Sequence, residues 1–568
     1  MKKTPLIIFI LFLVSTVLSA CAQPTAAPTQ AEAQLQAEST EAVAEVPAAT
    51  EAPAAAEEPA AEPAETEEKI LTIGISGDVE TIDADFSHFS TSNEVNYNIL
   101  DQFFLYGYTD TGEGYSMYDP KQIQGSSIES WELSDDGLEI TLHVRPGTKF
   151  NQTGNPVTAD DFIYYFDRGI ETKSGYLWNI KNANIEKWEK IDDSTFKIIF
   201  SKPSPFFFYL FRDQSQAPVE SAEMKKNATS DDPWSTKWKA RNDAGSGEYY
   251  VESWTPGVEM VLAANKDYWA GAPFFDKVIL KVIPSSADRA LLLQQGAIDI
   301  AKDLSPNEID QLREAEGVKI LSIPTRDQYE MGLNNTMPPF DNKLVRQALS
   351  YAVPYDTIVN DVFKGRALKS QSPVAVKGNG FVPGLWPYSF DLEKAKQLLA
   401  EAGYANGFDM KLDITADAPV PEELAILIQS TFKELNINVT IDKQTSAVFA
   451  EQLDKKSHQA WITDLLWYVD DAAYTGFAFY TCDNVINWMA YCNPEVDKAI
   501  YEAAAIWKPE DQARKDELTK LMQQLIIDDA PTLMLGEVNL ELAMREDIIG
   551  YVQLPDNMLW YWPLKRAE

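Results

Sequence analysis

Between Ala22 and Glu68 the chain is written in Ala, Glu, Pro, Thr and Gln, with few large apolar residues. Its glutamates, among them Glu57, Glu58, Glu62, Glu65, Glu67 and Glu68, meet no Lys or Arg before Lys69. Such a stretch buries too little apolar surface to offset the entropy of ordering, and its prolines and like charges keep it extended. The expectation is a disordered tether reaching roughly 35–40 Å or more, at about 5–6 Å × √n. Folding is therefore left to the residues from Lys69 onward.

Ahead of the tether, Lys2 and Lys3 precede an apolar run from Leu6 to Val17 that only Ser15 and Thr16 interrupt. The run falls short of the ~20 residues needed to span a bilayer, so it reads as a secretory signal. Leu18-Ser19-Ala20-Cys21 puts a cysteine where an ordinary cleavage site would stand and resembles the lipobox of bacterial lipoproteins. That resemblance implies an acylated Cys21 as the first mature residue. The expected location is extracytoplasmic, in the periplasm or at the cell surface, with the cell membrane holding the lipid. Ala22 rather than Asp follows the cysteine, so an inner-membrane retention signal of the diderm type is absent.

At 568 residues the chain exceeds the size at which one hydrophobic core stops growing, and two or three domains are expected. A formal net charge of -39 excludes nucleic acid as partner, because phosphate binding needs a basic footprint. The same charge excludes an electrostatic grip on anionic lipid, which leaves anchoring to the acyl chains. Cys482 and Cys492 lie close together in an exported chain, and a disulfide between them is expected, worth about 3 kcal/mol. His88, His143 and His458 are scattered without metal-ligand spacing, so neither metal nor cofactor is expected.

From Lys69 the pattern alternates strands and helices. Ile70 to Ile75 reads as a strand, Asn93 to Phe104 as a helix, and Glu139 to Val144 as a half-buried strand. Thr158-Ala159-Asp160-Asp161 opens a helix with the S/T-x-x-acid pattern. Tyr249 to Ser253 and Glu259 to Ala263 form a hairpin, and Val278 to Ile283 is a strand before a helix opened by Ser285. Later, Asp341 and Asp391 are expected to cap helices, Pro421 to Leu435 to form another, and Asp516 to Ile527 a late one before a strand at Thr532 to Leu535. No repeat is present, and the class is mixed α/β.

Several runs together then resemble one family. Glu129-Ser130-Trp131-Glu132, Leu142-His143-Val144-Arg145-Pro146-Gly147, Lys149-Phe150 and Pro156-Val157-Thr158-Ala159-Asp160-Asp161-Phe162 are followed by Gly245-Ser246-Gly247-Glu248-Tyr249, Asn265-Lys266-Asp267-Tyr268-Trp269 and Val345-Arg346-Gln347-Ala348-Leu349. In this order they resemble the family 5 extracellular solute-binding proteins, the dipeptide- and oligopeptide-binding lipoproteins of ABC importers. The residues themselves read as structural: Arg145-Pro146-Gly147 ends a strand and Arg346 makes a helix salt bridge.

The resemblance implies a two-lobed periplasmic-binding-protein fold with an extra domain inserted in the first lobe and a ligand cleft between lobes. After a signal at 1–21 and a tether at 22–68, the first lobe would comprise 69–112, 245–330 and 535–568. The extra domain would cover 113–244 and the second lobe 331–534, with hinge strands near Asp327 to Asn334 and Pro531 to Gly536. Function would be capture of oligopeptides by hinge closure, without catalysis, and delivery to the permease and ATPase subunits of an importer by a monomeric receptor.

In peptide-binding members an aspartate in a Trp-x-x-Asp or Asp-Pro segment of the second lobe meets the peptide's α-ammonium. Here both Asp464, spaced from Trp461, and Asp470, at the later position beside Asp471, match that pattern. Asp470 and Asp471 could equally cap a helix or stay solvated. Trp467 and Tyr468 offer rigid amphipathic rings to peptide side chains or sugar faces. Arg326 is placed to take a ligand carboxylate, or to pair locally with Asp327 or Glu330. Oligosaccharides are the alternative solute. A surface carbohydrate hydrolase is the alternative of another class, without a Gly-x-Ser-x-Gly or HExxH motif to support it.

Overall fold

The structure, a computed structural model, describes residues 68–567 apart from 88–89, 175, 213–215, 417–418 and 467–468. The signal sequence, Cys21, most of the tether and the Trp467–Tyr468 pair lie outside the described residues.

Two long strands organise what is described. Val318–Leu333 and Thr532–Arg545 run antiparallel to each other and carry one sheet across two lobes. Toward one end, residues 328–333 pair with Ala460–Leu465, beyond which lie the parallel strands Asp409–Thr415 and Asn438–Gln444. Toward the other, Met544 and Ala543 pair with Ile300–Ala301, followed by Ile70–Ile75, Lys277–Val282, Glu259–Ala264 and Tyr249–Thr255. Between the two ends the register of the crossing strands slips, from Pro324 to Gln328 and again after Tyr329. Bulges locally interrupt a ladder and bend the strand, so Thr325, Arg326 and Asp327 sit at the waist. The Thr325 hydroxyl secures the bulge, donating to Val538 O (2.8 Å) and accepting from Asp327 N (3.0 Å).

Local chemistry explains the flanking helices. Lys343–Tyr351 buries Val345, Ala348 and Leu349 at i, i+3, i+4. Its cap is Asn342, which accepts from Leu344 N (2.9 Å), rather than the expected Asp341. Asp391 does cap Leu392–Glu401, accepting from Lys394 N (2.9 Å). The early helix spans Ser90–Ile99 instead of continuing to Phe104, because Phe103 and Phe104 are wholly buried and Phe104 opens the next strand. Gly332 lies on the crossing strand where a Cβ would stand 2.2 Å from the Trp461 indole, so the close approach of that buried ring requires glycine.

The expected start of the extra domain, residue 113, falls inside a hairpin, and a separate sheet begins only after it. Phe104–Asp110 and Ser116–Gly125 form a hairpin whose second strand pairs with Val552–Gln553 near the C-terminus. A four-stranded sheet of its own begins at Ile128, in the order Ile128–Leu133, Glu139–Val144, Thr195–Phe200, Ile185–Asp192. The helix Ala159–Thr172 covers it, with Phe162 stacked on Phe196 (4.8 Å) and Phe166 on Trp188 (5.1 Å). Its core continues into the second lobe through Phe206 against Tyr474 (5.1 Å). Cys482 and Cys492 are disulfide-bonded across the loop after the helix Ala472–Tyr480.

Candidate functional site

A cavity of about 640 Å³ opens at the waist. One wall comes from the hairpin (Glu113, Tyr118, Asp119, Lys121) and the C-terminal turn (Pro555, Asn557); the facing wall comes from Lys377, Gly378, Asn379 and Asp470 of the second lobe. Pro324, Thr325 and Arg326 of the crossing strand contribute between them. The cavity therefore draws on both lobes and on the hinge, where a change of lobe angle would alter its width.

Asp470 is held from three directions. Tyr118 Oη donates to one carboxylate oxygen (2.8 Å) and Asn379 N to the other (2.7 Å). Arg326 Nη1 stands 3.6 Å from that second oxygen, with both side chains about 95% buried. Arg326 also donates to Pro555 O (3.2 Å) and lies over the Tyr118 ring (5.6 Å), so its partner is Asp470 rather than Asp327 or Glu330. Burial holds the Tyr118 hydroxyl protonated far above the usual tyrosine range, with Arg326 pulling the other way. Behind it, Tyr106 is pushed up to about 12 by burial, and Arg212, over its ring at 4.9 Å, opposes this while pairing with Asp556 (3.1 Å). Asp471 has turned away from the cavity. It caps Ala472–Tyr480 by accepting from Ala473 N (2.9 Å) and Tyr474 N (3.1 Å), and it pairs with Lys515 (2.6 Å).

Asp464 is in a different condition. It is exposed near the C-terminal end of Ala460–Leu465, opposite Tyr329. No described residue donates to its carboxylate or pairs with it. Its influence registers on Asp327, whose carboxyl is pushed up to about 7, first by burial and then by the negative charge of Asp464. Asp327 Oδ1 is closed off from solvent and has no partner. Two carboxyls with no compensating cation among the described residues thus share this corner, a short step along the crossing strand from Arg326.

The hinge holds two further buried acids. Glu330 is pushed up to about 7 by burial, although Thr532 Oγ1 donates to it (3.0 Å). Glu537 is pushed up to about 8 by burial; it accepts from Val376 N (2.8 Å) and so ties down the segment that presents Lys377 and Asn379.

Of the residues singled out from sequence, the structure brings Arg326 and Asp470 together in the cavity and sets Asp464 beside Asp327; Trp467 and Tyr468 lie outside the described residues. Arg346 makes no salt bridge among the described residues: it donates to the main-chain oxygens of Asp529 (2.8 Å), a carbonyl left open at a helix end, and Phe340 (2.8 Å). Tyr118, Asn379, Lys121 and Lys377 escaped sequence reasoning, and Asp327 enters it only as a hinge residue and a local partner for Arg326. Tyr118 sits in a strand pattern like any other, and residues 369–390 carry no helical or strand periodicity to place them. Among the described residues no group of His, Cys, Asp and Glu is arranged to hold a metal, and no helix is long and apolar enough to cross a membrane. His458 is buried between Asp413 (2.7 Å) and Phe449 O (3.1 Å).

Comparison with known proteins agrees with this architecture. The family described as "Bacterial extracellular solute-binding proteins, family 5 Middle" matches residues 122–487. The "Probable D,D-dipeptide-binding periplasmic protein DdpA" of Escherichia coli is 27% identical over 501 residues, covering 87% of this chain and 93% of that one. "Heme-binding protein A" of Haemophilus influenzae is 27% identical over 466 residues, covering 76% and 82%. Among solved structures, the periplasmic binding protein DppA from Helicobacter pylori, in complex with the peptide STSA, superposes with a TM-score of 0.75 at 22% identity, over 88% of this chain and 99% of that one. HbpA2 from Haemophilus parasuis gives 0.76 at 21% identity, over 88% and 100%. At these identities the superpositions speak for the fold.

Proposed function

The chain belongs to the family 5 bacterial extracellular solute-binding proteins, and from that premise we propose that it is a lipid-anchored receptor that captures oligopeptides outside the cell and hands them to an ABC importer. The observation that carries this reading is the charge balance of the cleft. Arg326, Lys121 and Lys377 face Glu113, Asp119 and Asp470 around one cavity; the uncompensated Asp464–Asp327 corner does not line it and starts one residue along the crossing strand from Arg326. A solute with a cation at one end and a carboxylate at the other complements such a lining, whereas a neutral oligosaccharide would offer no charge to Lys121, Lys377 or Glu113. The sugar reading drew on Trp467 and Tyr468, which lie outside the described residues.

In this reading Asp464 takes the α-ammonium, because its oxygens are not already engaged by described side chains, and Asp327 adds a second negative oxygen from the hinge. Asp470 keeps Arg326, Tyr118 and Asn379 aligned, and Lys121 and Lys377, from opposite lobes, reach the carboxylate end. Closure about the waist buries the solute and no bond is made or broken. The relatives are named for binding a D,D-dipeptide and heme, and the superposed structure holds a tetrapeptide, so the solute class is the point to test. A thermal-shift screen with di-, tri- and pentapeptides and with β-glucan oligomers decides it. Peptides raising the melting midpoint while glucans leave it unchanged is the expected result; no shift from any peptide overturns it. Acylation of Cys21 is tested separately by metabolic labelling of wild type and Cys21→Ser with a clickable fatty acid.

A further inference from the structure

Three of the sequence runs that mark the family converge away from the cleft, around a second cavity of about 500 Å³. They are the turn after Arg145, the Gly245-Ser246-Gly247 segment and Asn265 to Trp269. Their residues hold one another in place. Gly245 and Gly247 press so closely on the end of Ser90–Ile99 that a Cβ would stand 2.1 and 2.5 Å from main-chain atoms of Ile99. Asn151 clamps the far side, its amide donating to Gly247 O (3.1 Å) and Tyr249 O (3.2 Å). Arg145 lies over the Trp269 ring at 3.8 Å while donating to Gly125 O (2.9 Å), and Trp269 Nε1 donates to the buried Asp101 (2.9 Å). The walls are pre-organised.

Their polar groups are not all used. Thr148 and Ser246 line the cavity at 5% and 1% exposure, and neither hydroxyl has a partner. Buried hydroxyls without partners are uncommon, and two on one cavity point to a hydrogen-bonding occupant. Lys149 lines the same cavity, and no described carboxylate lies within ion-pair distance of it, in a chain with 87 acidic and 48 basic residues. Lys266, by contrast, is paired with Asp276. Asp267 completes the rim without a cationic partner among the described residues.

We propose that this cavity, formed by residues 147–154 of the inserted unit against residues 246–269 of the first lobe, binds a small solute carrying one oxyanion, held by Lys149 and the Thr148 and Ser246 hydroxyls. An ammonium and two hydroxyl donors suit a carboxylate or phosphate, whose charge strengthens each hydrogen bond. Asp267 restricts what accompanies the oxyanion: hydroxyl or amino donors are accommodated and further negative charge is repelled. The site is independent of the interlobe cleft and of the solute bound there.

The test uses the full folded protein with inorganic phosphate, glucuronate and glucose as probes, at constant ionic strength set with chloride, read by thermal shift and by isothermal titration. Phosphate, glucuronate or both should raise the melting midpoint while glucose does nothing; which anion acts separates the two sources of the oxyanion. Lys149→Gln, an exposed position that leaves the fold intact, should weaken the anion at least about tenfold, as should Ser246→Ala. Asp464→Asn, at the corner proposed to take the peptide amine, should leave it unchanged. No response to either anion, an equal response to glucose, or a response that survives Lys149→Gln and Ser246→Ala would each overturn the proposal, the cavity then holding water alone.

Discussion

Asp470 and Asp464 come from the same short stretch of the second lobe, yet they lie in opposite electrostatic conditions. Asp470 is buried and its oxygens are met by a tyrosine hydroxyl, a main-chain amide and an arginine. Asp464 is exposed, and among the described residues no cation or donor meets its charge, which acts on another acid, Asp327. A buried carboxylate with its partners supplied by the protein defines shape; one whose partners are missing is left for something that arrives. The contrast separates the residue that builds the cleft from the residue proposed to recognise the solute.

The largest expected effect comes from breaking the saturated corner. Arg326→Ala leaves Asp470 buried without its cation, and loss of one partner from a buried pair costs about 3 kcal/mol or more. Urea unfolding of the folded body should show it; a loss below about 1 kcal/mol would mean that Tyr118 and Asn379 alone suffice for Asp470. Asp464→Asn is the converse experiment. Stability should hold within about 0.5 kcal/mol, while affinity for a peptide with a free amino terminus should fall about 10–100-fold, equivalent to about 1.4–2.7 kcal/mol. If Asp470→Asn and Asp464→Asn weakened binding equally without either one unfolding, the division of roles would be wrong.

A smaller effect concerns protons. Asp327, Glu330 and Glu537 are raised in the folded state to about 7, 7 and 8, whereas unfolded carboxyls titrate near about 4. Between these limits the native state binds more protons than the unfolded one, so their contribution is full below the unfolded value and is lost as pH rises through about 7 to 8. Stability should therefore decline from mildly acidic to mildly alkaline solution, and Glu330→Gln should flatten part of that decline. A curve that rises over the same interval would contradict the burial of these acids in the hinge. Smallest is Tyr118→Phe, which removes one hydrogen bond to Asp470 at about 1 kcal/mol, read by the same urea titration.

How far this contrast could be read from sequence depends on where the partners lie. Local signals carried well: the S/T-x-x-acid start at Thr158, the cap at Asp391, and the buried stripe of Val345, Ala348 and Leu349 are decided by neighbours within one or two turns. The alternation of strands and helices was enough for the α/β class. Asp464 and Asp470, however, match the same segment equally well, and what distinguishes them is supplied by Tyr118, Arg326 and Asn379, distant in the chain and joined only by the fold. The expected boundary at residue 113 cuts through the hairpin Phe104–Gly125, because the strand that pairs with it, Val552–Gln553, is two residues long and almost at the C-terminus. Arg346 resembled a salt-bridging residue since helix-end carbonyls leave no mark in a sequence.

Recognition of a free amino terminus at the Asp464–Asp327 corner is what separates the two aspartates in function. Isothermal titration of the protein with one tripeptide and with its N-acetylated form addresses this directly. The free peptide should bind and the acetylated form should bind at least about tenfold more weakly, with that difference abolished in Asp464→Asn. Equal binding of the two forms by the unaltered protein, or a preference that persists in Asp464→Asn, would contradict it.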